Sequence, residues 1–256
     1  MPSTSDQTAP ETLSGHDKAR YVHNLFARIA PHYDIANGFI TGGMHRRWRR
    51  ATVRRALSLL PARTDGRPLY GLDLCCGTGD YVFLLRESVV ENTCLVGLDF
   101  CEPMIRKALD RARRTGAATG TAWVKADATD LSAFRNASFE VATVGFGLRN
   151  VVDLPAALGE TARVLRPGGI FVSLELVRPE RGLLRPLILA YLRWLLPVLA
   201  AAAKGGRDDY LWLRRSLETF PESAGLSQLL ESSGLEVVEV RRFAFGAVAA
   251  HIARRK

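Results

Sequence analysis

Along this chain, short apolar runs that end in an acid or a glycine alternate with longer stretches in which apolar residues return every three or four positions. The first kind reads as buried strands and the second as amphipathic helices. Strands are predicted over Leu69–Leu74, Cys94–Asp99, Ala122–Ala126, Glu140–Val144 and Ile170–Leu176. The helices between them are expected over Asp80–Glu87, Pro103–Arg114, Asp130–Phe134 and Leu154–Leu165, the last followed by the turn Arg166-Pro167-Gly168-Gly169. Right-handed crossovers then place the strands in one parallel sheet with helices on both faces and a ligand at their carboxyl ends. A helix near Ser223–Ser232 and strands Leu235–Arg241 and Phe243–His251, with little between the two strands, predict a terminal hairpin that completes the sheet. The expected fold is α/β and Rossmann-like, with a mostly parallel seven-stranded sheet.

Two segments break the alternation. Residues 16–60 read as a helical N-terminal lid and residues 178–219 as an inserted helical cap, while residues 1–15, Ser/Thr-rich and without an apolar run, read as a disordered tail. Residues 16–256 are therefore expected to form a single domain. Leu183–Ala203 is nearly long and apolar enough to span a bilayer, but Arg185, Arg193 and Pro197 fall inside it. A buried cap helix is the plain reading, and the functional one is that the same apolar wall lines the mouth of a pocket for a long hydrophobic substrate.

Composition narrows the class. With 256 residues, 47% of them hydrophobic, and mean hydropathy near zero, the chain buries a full core. Cys75, Cys76, Cys94 and Cys101 show neither a Cys-x-x-Cys pair nor a histidine at metal spacing, so they read as small core residues in a reducing compartment, with no metal site expected. No signal peptide pattern opens the chain. The net charge of +9 points to a polyanionic partner. Its densest cluster, Arg46, Arg47, Arg49 and Arg50 with Arg54 and Arg55 beyond, wraps most of a helix instead of forming one stripe. Charge alone does not choose between nucleic acid and anionic lipid headgroups, and a solvated, sticky helix is the plain alternative; a lipid contact, with no nucleic acid, is what the substrate class implied by the resemblance below favours.

The chemistry begins at Asp73-Leu74-Cys75-Cys76-Gly77-Thr78-Gly79, where the first strand breaks into a glycine-rich turn. Glycine lets backbone approach a ligand where a Cβ would clash, and Asp99, 20 residues past Gly79 at the end of the next strand, is placed to accept the hydroxyls of a ribose. Two departures from the dinucleotide pattern matter. Val82 stands where a third glycine would be, and Asp73 precedes the turn, where a carboxylate would repel a pyrophosphate but suits the ammonium and sulfonium of S-adenosylmethionine. An ordinary strand-to-helix turn with a buried acid is the alternative.

Further along, Asp127-Ala128 ends the third strand, where an acid or a backbone amide can read the adenine edge. The fourth strand leads into Gly145-Phe146-Gly147-Leu148-Arg149-Asn150, which lacks the Asn/Asp-Pro-Pro-aromatic clamp of base-amino methyltransferases. Its two glycines are expected to open space beside the sulfonium, and Arg149 and Asn150 to offer donors to a substrate oxyanion. The alternative is an arginine paired with a structural acid and an asparagine that caps the helix at Leu154.

At these residues the chain resembles the ubiquinone/menaquinone C-methyltransferase family. The resemblance rests on Phe26-Ala27-Arg28-Ile29-Ala30-Pro31-His32-Tyr33-Asp34 with Asn37, on Gly43-Met44-His45-Arg46-Arg47-Trp48, on Asp73 to Asp80, on Phe146 to Asn150, and on Arg163 to Gly169. Cys75-Cys76 and Ser216 to Pro221 are nearer the menaquinone and phylloquinone branch. The resemblance implies a class I S-adenosylmethionine-dependent methyltransferase acting on a ring carbon of a prenylated quinol such as demethylmenaquinol, cytoplasmic and peripherally bound to an anionic membrane, with a homo-oligomer left open. A methyltransferase of a soluble aromatic on the same scaffold is the nearest alternative. Asp73, Gly77, Thr78, Gly79, Asp99, Asp127, Ala128 and Gly145 are expected to hold the cofactor. Arg149 is expected to stabilise the quinolate oxygen, Asn150 to orient the ring and Tyr33 to relay a proton through water. His32 and His45 rank behind Tyr33 in that role.

Overall fold

The structure, a computed structural model, describes residues 15–61, 66–89, 92–178 and 207–256. The N-terminal segment consists of α1 (Gly15–Ile29), a short 3-10 turn, α2 (Tyr33–Ile40) and α3 (His45–Leu59). The core then alternates as β1 (Leu69–Leu74), α4 (Asp80–Ser88), β2 (Thr93–Asp99), α5 (Glu102–Arg114), β3 (Thr121–Lys125), β4 (Phe139–Gly145), α6 (Leu154–Val164) and β5 (Leu165–Leu176). It closes with α7 (Arg207–Thr219), α8 (Ser223–Ser232), β6 (Leu235–Phe243) and β7 (Val248–Arg255).

The seven strands form one sheet in the order β3-β2-β1-β4-β5-β7-β6. All neighbours from β3 to β5 are parallel, while β7 runs antiparallel to both β5 and β6. The expected mostly parallel sheet with a terminal hairpin is what forms. Strand period sorts the core: Ala142, Val144 and Phe171 pack with Leu158 of α6 and Leu226 of α8 on one face. Val141, Ile170 and Val172 pack with Trp48 and Val53 of α3 and Tyr81 and Leu85 of α4 on the other. Because sequence order reverses at β1 and β4, their carboxyl ends form the crevice in which such sheets bind ligands.

Several local expectations are corrected. Asp130–Phe134 is a series of turns, not a helix. The Asp127 carboxylate accepts from Thr129 N at 2.9 Å and Asp130 from Ser132 N at 3.0 Å, and such local bonds compete with helical ones. Arg166–Gly169 does not precede its strand but loops out within β5, between the pairs Phe139–Leu165 and Val141–Ile170, with Gly168 at φ +78°. The arginine cluster is not a uniform surface: Arg46, Arg47 and Arg50 are exposed, whereas Arg49 turns inward and is 4% exposed. Of the predicted tail, residues 1–14 lie outside the described residues and Gly15 opens α1. Of the predicted cap, α7 is seen, while residues 179–206, which include Leu183–Ala203, lie outside the described residues. No helix among the described residues is long and apolar enough to cross a membrane.

Candidate active site

The turn after β1 is built from three left-handed residues, Cys75 (φ 48°), Gly77 (φ 54°) and Gly79 (φ 86°), the last of them capping α4. Asp99 holds this turn from the end of β2. Its Oδ2 accepts from Gly77 N and its Oδ1 from Cys101 N, both at 2.8 Å. Burial pushes the Asp99 carboxyl up to about 6 despite those bonds.

Beside the turn lies a pocket that opens to solvent. Tyr33, Gly77, Asp99, Asp127, Ala128 and Asn150 all lie on its wall. Phe26 from α1 and Tyr33 from α2 stand on the wall, so these two helices are part of the site. Phe100, Met104, Phe146, Val151 and Val152, not anticipated as site residues, make most of the remaining wall apolar. Phe146 stands inside a run quoted above; Phe100 and Met104 carry no signal beyond following Asp99. Acids at the ends of β2 and β3, a glycine turn at β1 and apolar side chains between them fit an adenosine moiety, with hydroxyls and an amine to be accepted and a flat ring to be covered.

Five expected residues stand outside this wall. Asp73 is buried, its Oδ1 accepting from Thr143 Oγ1 at 2.8 Å, and burial pushes its carboxyl up to about 8. Thr78 donates to Asp34 Oδ1 at 2.7 Å, joining the turn to α2. A Cβ on Gly79 would sit 2.4 Å from Trp123 Cη2, so that glycine accommodates an indole. A Cβ on Gly145 would lie 2.7 Å from the Tyr81 ring, and one on Gly147, which lines the cavity, 2.5 Å from Cys75 Cβ, so both glycines accommodate neighbouring side chains.

Arg149 realises the structural-acid alternative. Its Nη1 donates to Phe146 O at 2.7 Å and lies 3.1 Å from Oε2 of the fully buried Glu175, which also accepts from Leu148 N. Its Nε remains without an acceptor, and its side chain borders a second groove with Lys18, Thr219 and Pro221. Val151 and Val152 are common to both walls. Asn150 does not cap α6; Asp153 does, accepting from Ala156 N at 2.9 Å. Asn150 instead accepts from Trp212 Nε1 at 2.9 Å, a contact to α7 that no local pattern announces. Burial raises the Tyr33 phenol above its ordinary value. His32 is exposed, and His45 is buried with Nδ1 2.7 Å from Thr41 Oγ1; burial lowers its imidazole.

Residues 14–255 match the ubiE/COQ5 methyltransferase family. A demethylmenaquinone methyltransferase of Bacillus cytotoxicus is 32% identical over 235 residues, covering 92% of this chain and 95% of the relative. A 2-phytyl-1,4-naphtoquinone methyltransferase of Synechococcus elongatus is 38% identical over 216 residues, covering 84% and 88%. Among solved structures, a SAM dependent methyltransferase from Aquifex aeolicus superposes with a TM-score of 0.53 at 15% identity, covering 81% of this chain and 98% of that one. The [4+2]-cyclase SpnF superposes at 0.59 and 17%, covering 80% of each, so the fold alone leaves the reaction open. The glycine turn, the acids at the ends of β2 and β3 and the near-complete family match agree: this chain belongs to the ubiE/COQ5 methyltransferase family and is an S-adenosylmethionine-dependent methyltransferase.

Proposed function

We propose that the enzyme methylates a ring carbon of a prenylated naphthoquinol, demethylmenaquinol or a close relative. The observation that carries the proposal is the second groove, which adjoins the cofactor pocket through the apolar Val151 and Val152 and is bordered by Arg149. The names of the naphthoquinone-directed relatives support the same substrate class. Arg149 borders the adjoining groove, so a ring entering there meets a cation next to the shared wall of Val151 and Val152.

When bound, S-adenosylmethionine supplies an electrophilic methyl group on a positively charged sulfur. The substrate hydroxyl loses its proton, the ortho ring carbon forms the new carbon–carbon bond as the sulfur–methyl bond breaks, and the ring carbon then loses its hydrogen as a proton. The free Nε of Arg149 is the donor available to the developing oxyanion, while Nη1 is held by Phe146 O and Glu175. Tyr33, its phenol raised by burial, serves as a hydrogen-bond donor and water-mediated relay, not as a phenolate base. Asn150, fixed by Trp212, sets the ring plane. The exposed Arg46, Arg47 and Arg50 hold the cytoplasmic enzyme at an anionic bilayer, where a prenylated substrate resides.

Quinone extraction from a deletion strain tests the substrate. Accumulation of the demethylated quinone, reversed by the wild-type chain, is expected; an unchanged quinone profile refutes the assignment.

A further inference from the structure

Arg49 is the only buried arginine among the described residues. Its neighbours leave its charge incompletely answered. Nη1 lies 3.1 Å from Asp80 Oδ2, but Asp80 Oδ1 also accepts from Arg111 Nη1 at 2.8 Å, so two guanidinium cations share one carboxylate. Neither Nη1 nor Nε of Arg49 has an acceptor in hydrogen-bonding geometry. Buried idle donors on a cation are costly, and an anion that aligns with them relieves the cost.

The remaining acids nearby do not provide one. Asp73 is within electrostatic reach of Arg49, but burial pushes its carboxyl up to about 8 and its Oδ1 is already bonded to Thr143. Asp34 accepts from Thr78. The other contacts of the guanidinium are the faces of Tyr81 and Phe146, 5.6 and 5.2 Å from its carbon.

Position identifies the missing anion. A Cβ on Gly145 would lie 3.3 Å from Arg49 Nε, which places this edge of the guanidinium at the carboxyl end of β4. Val144 pairs with Leu74, so Gly145 sits beside the start of the glycine turn, and its neighbour Phe146 is on the cavity wall. Asp99 and Asp127, expected at the ribose and adenine, stand on the opposite side of β1, at the ends of β2 and β3. A cofactor laid across the strand ends from β3 to β4 brings its amino-acid end toward Arg49. We propose that Arg49 binds the α-carboxylate of S-adenosylmethionine, using the donors that Asp80 leaves idle. The bond would be charge-assisted, with guanidinium N–H donating to carboxylate oxygen.

Titration calorimetry with two ligands tests this. S-adenosylhomocysteine carries the amino-acid end, and 5′-methylthioadenosine lacks it. In Arg49→Met the affinity for S-adenosylhomocysteine is expected to fall roughly tenfold or more while that for 5′-methylthioadenosine changes by less than about twofold. Arg49→Lys, which keeps the charge but loses the fork, is expected to show a smaller fall with the same selectivity. Equal losses for both ligands, or none for either, would overturn the assignment, the second result leaving the idle donors to the quinol or to no ligand at all. Thermal melts check folding; if the methionine variant does not fold, the lysine variant decides by the same comparison.

Discussion

The indole N–H of Trp212 in α7 donates to Asn150 Oδ1 at 2.9 Å, fastening a helix from the cap region to the turn that borders the cavity. Trp212 is itself seated among Val22 and Leu25 of α1, with the Tyr21 ring 5.2 Å away. One side chain therefore joins α1, α7 and the site. Trp212→Phe keeps a ring there but leaves a buried amide oxygen unpaired, at a cost of about 1–3 kcal/mol. We expect lower turnover and a raised KM for the quinol with nearly unchanged calorimetric affinity for S-adenosylhomocysteine. Equal kinetics in the variant would show that Asn150 needs no such anchor.

Gly79 answers to Trp123. With φ at +86° and an indole 2.4 Å from any Cβ, Gly79→Ala is expected to destabilise the fold by about 2–4 kcal/mol, through strain and overpacking together. Trp123→Leu removes the clashing ring, so in denaturant melts the double variant should be destabilised by less than the sum of the single changes. Strict additivity would locate the cost of the alanine elsewhere.

Asp73 carries a pH signature. Its carboxyl is ordinary when unfolded and pushed up to about 8 when folded, so the folded state holds the extra proton between those values. Its stability contribution is present below about pH 4 and is lost as pH rises toward 8, by at most about 1.4 kcal/mol per pH unit. Asp73→Asn cannot ionise. Relative to wild type, ligand-free Asp73→Asn should gain stability steadily from about pH 4 to 8 and then level off. A difference that stays flat across this range would mean that the buried carboxyl is already ionised.

The exposed and buried arginines of α3 are expected to separate by function. Charge reversal at Arg46, Arg47 and Arg50 should weaken binding to vesicles of anionic lipid, each residue contributing about 1 kcal/mol, with wild-type binding falling as salt rises. Turnover of a short-tailed soluble quinol should barely respond to the same changes. Vesicle sedimentation showing no binding by the wild type would remove the membrane from the account.

The order of strands and helices, the glycine turn and the acids at the ends of β2 and β3 were legible in the sequence because each depends on local pattern. Strand period, a left-handed turn and a strand-end acid are all set within a few residues. The runs Tyr33-Asp34, Gly77 to Gly79 and Phe146 to Asn150 likewise carried the family resemblance without any structure. What tertiary structure decided was which charge faces which neighbour. Arg46, Arg47, Arg49 and Arg50 read alike along the chain, yet helical rotation buries only Arg49, against Asp80, Tyr81 and Phe146. Arg149 reads as a whole free fork, yet Glu175, on the neighbouring strand, takes Nη1 and leaves Nε without an acceptor. Asn150 looks like a helix cap until Trp212, 62 positions later, reaches its amide. Gly79 and Gly145 look like ligand space until Trp123 and Tyr81 fill it. Pairings of this kind depend on distances across the fold, and those distances exist only once the sheet has brought its strand ends together.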